Sequence, residues 1–97
     1  MPFKRISVDE ARALIGDSDV NIIDVRDPGS FEAGNIDGAT HVSDSNLQDF
    51  IDNTDKTRPL LIYCFHGNMS QGAADYFDGQ GFADVYSMDG GYEAWRL

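Results

Sequence analysis

Two apolar runs constrain this chain more than any other feature: Val20-Asn21-Ile22-Ile23-Asp24-Val25 and Pro59-Leu60-Leu61-Ile62-Tyr63. Both are rich in β-branched or large aliphatic residues and too short for a core helix, so they read as buried strands. Helical signals separate them from three weaker strand candidates, Phe3 to Ile6, Ala39 to Val42 and Asp84 to Ser87. Ser7-Val8-Asp9-Glu10 fits a capping box opening a helix that Gly16 is placed to stop. After a turn at Arg26-Asp27, Pro28 opens a short helix that Gly34 closes. Leu47, Phe50 and Ile51 keep helical spacing behind a cap at Ser45 or Asn46. Met69, Ala73, Tyr76 and Phe77 share one helical face, ended by Gly79 and Gly81, and Tyr92 to Leu97 forms a last short helix. Strands alternating with helices imply an α/β fold with a central, mainly parallel, five-stranded sheet flanked by helices.

At 97 residues the chain is expected to form a single domain spanning 1–97. Its formal charge of −10 disfavours nucleic acid and anionic membranes as partners, and it leaves any anionic substrate in need of a local attraction. One cysteine cannot form an internal disulfide, no leader-type apolar segment follows Met1, and no run approaches a membrane span. The expected location is therefore cytoplasmic.

In open parallel sheets, ligands bind at the carboxyl ends of the strands. That is where Cys64 lies, between Leu60-Leu61-Ile62-Tyr63 and the loop Phe65-His66-Gly67-Asn68. A cysteine beside such a strand is by default a core residue, but its position also suits a nucleophile. Unpaired amides and the positive end of a following helix dipole would favour its thiolate over the ordinary thiol. Gly67 suits a positive φ; Asn68 suits αL geometry or a cap, and the Ser70 hydroxyl could reach the same anion. His66 is expected to be solvated, and Cys64 with His66 alone does not make a metal centre. Asp24, Arg26 and Asp27 read as a structural ion pair and turn, with His41 near the site at most. Phe31, Tyr92 and Trp95 read as packing anchors, and Phe65 as a residue lining the pocket.

Four stretches resemble the rhodanese-like domain family, and in particular its small single-domain thiosulfate sulfurtransferases. They are Ile23-Asp24-Val25-Arg26-Asp27-Pro28 with Ser30-Phe31 and Gly34, then Cys64-Phe65-His66-Gly67-Asn68, then Gly72-Ala73-Ala74, and Met88-Asp89-Gly90-Gly91-Tyr92-Glu93-Ala94-Trp95. The resemblance implies a rhodanese fold, catalytic Cys64, and a six-residue loop from Cys64 to Met69. Substrate binding would fall to Phe65, His66, Gly67, Asn68, Met69 and Ser70. The implied chemistry carries a sulfane sulfur from thiosulfate to cyanide or a thiol, with a protein thiol such as thioredoxin among the acceptors, and requires no metal or organic cofactor. Related phosphatase loops follow C-x5-R, whereas the arginine position here is Ser70, which argues against phosphate chemistry. Met69 and the neutral Gln71 depart from the sulfurtransferase pattern, and none of the seven Lys and Arg residues lies between Cys64 and Gly91. Weak thiosulfate affinity is therefore expected, and the alternative is a weak or inactive rhodanese-like module that binds or regulates a partner.

Overall fold

A computed structural model describes residues 3–17 and 19–97. Its strands are β1 (Lys4–Ile6), β2 (Asn21–Asp24), β3 (Ala39–His41), β4 (Leu60–Tyr63) and β5 (Val85–Met88). They form one sheet in the order β1-β5-β4-β2-β3, and every pairing is parallel. Five helices alternate with them: α1 (Val8–Asp17), α2 (Pro28–Ala33), α3 (Leu47–Asn53), α4 (Met69–Gly79) and α5 (Gly91–Trp95).

The central strand, β4, is buried at all four positions, as its unbroken apolar run demands. Because successive strand residues face opposite sides, Leu60 and Ile62 join Ile23, Ala74, Phe77 and Val85 on one face of the sheet. Leu61 and Tyr63 join Ile6, Ala11, Ile22 and Met88 on the other, where Tyr92 and Trp95 also pack. The two faces hold the sheet rigid, so the carboxyl end of β4 is a fixed mount.

Most local signals act as expected. Ser7 N–H donates to Glu10 Oε1 at 2.9 Å and Glu10 N–H to Ser7 Oγ at 3.1 Å, completing the capping box. Asp27 caps α2 by accepting the Ser30 N–H at 3.0 Å. Four expectations need correction. Gly16 does not stop α1, which runs on to Asp17; glycine weakens a helix but ends it only when the chain turns left-handed there, and the φ of Gly16 stays negative. Asn46 stands at the start of α3 without capping it, because its side chain joins Ser43 N–H to the His41 carbonyl instead. Asn68 takes right-handed helical angles and makes no cap bond. The buried face of α4 is Ser70, Ala74 and Phe77, while Met69 and Tyr76 are exposed.

Candidate active site

Cys64 directly follows β4, and the chain leaves the sheet through five residues before α4 is established. Its side chain is only 3% exposed. The loop closes over the sulfur: Gly67 N–H points at Sγ from 3.2 Å and Ser70 N–H from 3.3 Å. The Ser70 Oγ lies 3.5 Å from the sulfur on its buried side. Burial pushes the Cys64 thiol up, but the Ser70 hydroxyl and the N–H groups of Ser70, Gly67 and His66 together outweigh it. The net pKa falls below the ordinary thiol value.

Two features fix this curl. Gly67 takes φ +91°, a left-handed angle that glycine adopts without strain, and a Cβ there would stand 2.8 Å from the Gly90 backbone nitrogen. The turn after β5 then locks the loop from the other side. Tyr92 N–H donates to the Cys64 carbonyl at 2.8 Å and Glu93 N–H to the Phe65 carbonyl at 3.1 Å. These otherwise unpaired amides of α5 thus hold the cradle's own backbone. A Cβ on Gly91 would collide with the Cys64 and Phe65 carbonyl oxygens, so the Gly90-Gly91 pair is a fitting part of the site and not merely a turn.

The expected site residues divide into groups. Backbone amides of His66, Gly67 and Ser70 converge on the sulfur, together with the Ser70 hydroxyl. That hydroxyl lies fully buried beside the sulfur, so it serves the sulfur and not an anion above it. The side chains of His66 and Asn68 are exposed. Met69 is 70% exposed and lines an apolar groove of about 490 Å³ with Val25, Val42, Leu47, Ala73 and Tyr76. Phe65 is 40% exposed and lines a separate cleft of about 180 Å³ beside Arg26, Tyr92 and Arg96, which Cys64 does not line. Phe65 thus lines a cleft, one that Cys64 does not share. Its backbone is tied to α5, and the ring lies 5.2 Å from the Arg26 guanidinium.

Arg26 and Asp24 form a buried ion pair at 2.7 Å, and Arg26 donates a further bond to the Gly34 carbonyl at 2.6 Å. The Asp24 carboxylate also accepts the Arg26 N–H at 2.8 Å. His41 Nε2 meets the Arg26 carbonyl at 2.6 Å and packs on Phe31. These residues build the wall between β2 and α2 and do not reach the sulfur. Among the described residues no group of His, Cys, Asp and Glu is arranged to hold a metal.

One site residue had escaped notice in the sequence. Ser87, fully buried on β5, sits with its Oγ 2.8 Å from Ser70 Oγ. Strand alternation places it on the same face as Val85, where an apolar residue belongs. A serine at an inward position of a buried strand was the available signal.

A cysteine in an amide-lined loop at the carboxyl end of the central strand of a parallel sheet is the setting of a nucleophile. The rhodanese-like domain model matches residues 7–97, and the chain belongs to that family. It is 52% identical over 94 residues to "Thiosulfate sulfurtransferase GlpE" of Pseudomonas entomophila (strain L48), covering 97% of this chain and 85% of that protein. A protein of the same description from Pseudomonas aeruginosa (strain LESB58) is 48% identical, with 97% and 84% covered. Among solved structures, a rhodanese-like domain protein from Staphylococcus aureus superposes with a TM-score of 0.83 at 28% identity, covering 96% of this chain and 91% of that one.

Proposed function

We infer that this protein is a thiosulfate sulfurtransferase in which Cys64 carries the sulfur. The observation that bears the reading is the set of groups on Cys64 Sγ: two amides donate to it from 3.2 and 3.3 Å, and the Ser70 hydroxyl, which accepts the thiol proton at 3.5 Å, can turn to donate once the sulfur is a thiolate. Such donors favour a thiolate, the nucleophilic form, and the similarity to thiosulfate sulfurtransferases along nearly the whole chain supports the substrate.

The thiolate attacks the outer sulfur of thiosulfate. A new S–S bond forms to Cys64, the old S–S bond breaks, and sulfite leaves with the bonding electron pair. The persulfide that remains bears the negative charge on its outer sulfur, within reach of the loop amides. Cyanide or a thiolate then attacks that outer sulfur, and Cys64 is released as the thiolate it was. No proton is trapped in either half-reaction, so the loop needs no general base beside the cysteine. The absence of any arginine from Phe65 to Ser70 fits this chemistry better than phosphate transfer.

The acceptor in the cell is proposed to be a thiol, a protein thiol such as thioredoxin included, and the setting the cytoplasm. The described helices include none long and apolar enough to cross a membrane. Turnover of thiosulfate and cyanide to thiocyanate tests the reading. Activity should vanish in Cys64→Ala with the fold intact; a Cys64→Ala protein that still turns over would overturn it, and an inactive wild-type protein would favour a binding module. Because the Cys64 pKa lies below its ordinary value, activity should hold to lower pH than an unassisted thiol would allow and fall as pH drops through the lowered value.

A further inference from the structure

We propose that Ser87 is a positioning residue of this site: its hydroxyl orients that of Ser70, so that the pair presents a proton to the Cys64 sulfur. The inference rests on the reading of Cys64 as the nucleophile. Its observation is a buried file of three atoms: Cys64 Sγ, Ser70 Oγ at 3.5 Å and Ser87 Oγ a further 2.8 Å away. Both serines have no solvent exposure. Among the described residues Ser87 Oγ has no other hydrogen-bond partner.

Counting protons along that file gives it a direction. With a thiol, the S–H and two O–H groups are three donors sharing one short chain. If the S–H donates to Ser70 and Ser70 donates to Ser87, the Ser87 proton has no acceptor, a costly state for a buried hydroxyl. Removing the thiol proton to solvent resolves the surplus. Ser87 then donates to Ser70, Ser70 donates to the thiolate, and every proton has a partner. The Gly67 and Ser70 amides already donate to the sulfur, and the hydroxyl file adds to them from the buried side. The file is set by the sheet: β4 and β5 are hydrogen-bonded neighbours, and Ile62 pairs in register with Ser87. Ser87 is thus fixed beneath the site before α4 delivers Ser70.

The charged and titratable groups around the site do not compete for this role. Asp24 and Arg26, at the end of β2, bond each other. Tyr63, on β4, accepts the Ile36 N–H on the far face of the sheet. Asp89, in the turn, pairs with Arg5, and Glu93, on α5, with Arg96. His66, on the loop, is exposed, and its side chain is removed from the measurement by working in a His66→Gln background.

The test is the pH dependence of Cys64 alkylation by iodoacetamide. In Ser87→Ala the midpoint should rise by roughly half a unit to one unit, the scale of one hydrogen bond transmitted to a charge. Ser87→Thr should return it towards wild type. In a Ser70→Ala background, Ser87→Ala should have no further effect, because its route to the sulfur is gone. Should Ser87→Ala not fold, Thr and Val at the same position, alike in size and differing in the hydroxyl, make the same comparison. An unchanged midpoint in Ser87→Ala would overturn the proposal, as would an equal shift with Ser70 absent. The failure of Cys64 to accept sulfur from thiosulfate would count against the sulfurtransferase reading, not against this relay.

Discussion

Strands β2 and β4 lie side by side and end level with one another, yet their ends do opposite things. At the end of β2, Asp24 and Arg26 are buried and spend their charges on each other and on the Gly34 carbonyl. Arg26 Nε and Nη2 are thereby committed to the fold. At the end of β4, two amides donate to the Cys64 sulfur and the Ser70 hydroxyl lies beside it, an arrangement whose full value appears when the sulfur is an anion. The first end is built for integrity and the second for a charge that comes and goes. Burial is common to both, so burial alone does not mark the site; unbalanced donors do.

That contrast can be broken by substitution, and the largest expected effect falls on stability. Asp24→Ala would strand the Arg26 guanidinium in the interior and should destabilise the fold by about 3–5 kcal/mol, a large share of a small domain's total. Denaturant unfolding measures it. Cys64→Ala, by contrast, should abolish turnover while shifting unfolding by less than about 1.5 kcal/mol. If the two variants behaved alike, the division between the strand ends would be wrong.

Gly91→Ala comes next. Its Cβ would press on the Cys64 and Phe65 carbonyls, shifting the cradle relative to the sulfur. A loss in kcat/KM of roughly 100-fold is expected, the scale of a displacement near 1 Å at a reacting centre. Steady-state kinetics alongside circular dichroism would distinguish this from unfolding.

The smallest effect should come from Met69→Arg. Met69 projects into solvent at the first residue of α4, so an arginine fits without repacking. One partly screened cation there should lower KM for thiosulfate about two- to fivefold, equivalent to ~0.4–1 kcal/mol. An unchanged KM would show that the amides alone set anion affinity.

What the sequence disclosed follows from how local each signal is. The apolar runs at β2 and β4, the Ser7–Glu10 box and the Asp27 cap involve neighbours a few residues apart, and these were readable. The glycine at Gly67 was readable for the same reason, since its φ answers to the loop's own curl. Contacts made across the fold were not. Local signals could also mislead: Asn46 and Asn68 are good caps in isolation, but the first is taken up by its neighbours Ser43 and His41 and the second by the path of the loop. Met69 shares its helical spacing with Phe77 yet is exposed, because spacing gives a helical face without saying which neighbour covers it. Ser87 and the Gly90-Gly91 lock act through bonds that span 17 and 28 positions, and only the register of β4 with β5 brings them to the cysteine.

The central claim is that Cys64 itself takes up the sulfane sulfur. Intact mass after incubation with thiosulfate and removal of excess reagent tests it directly. One added sulfur, a gain of about 32 Da, is predicted for the wild-type chain, reversed by cyanide and absent in Cys64→Ser. No gain in the wild-type protein, or a gain that survives Cys64→Ser, would contradict it.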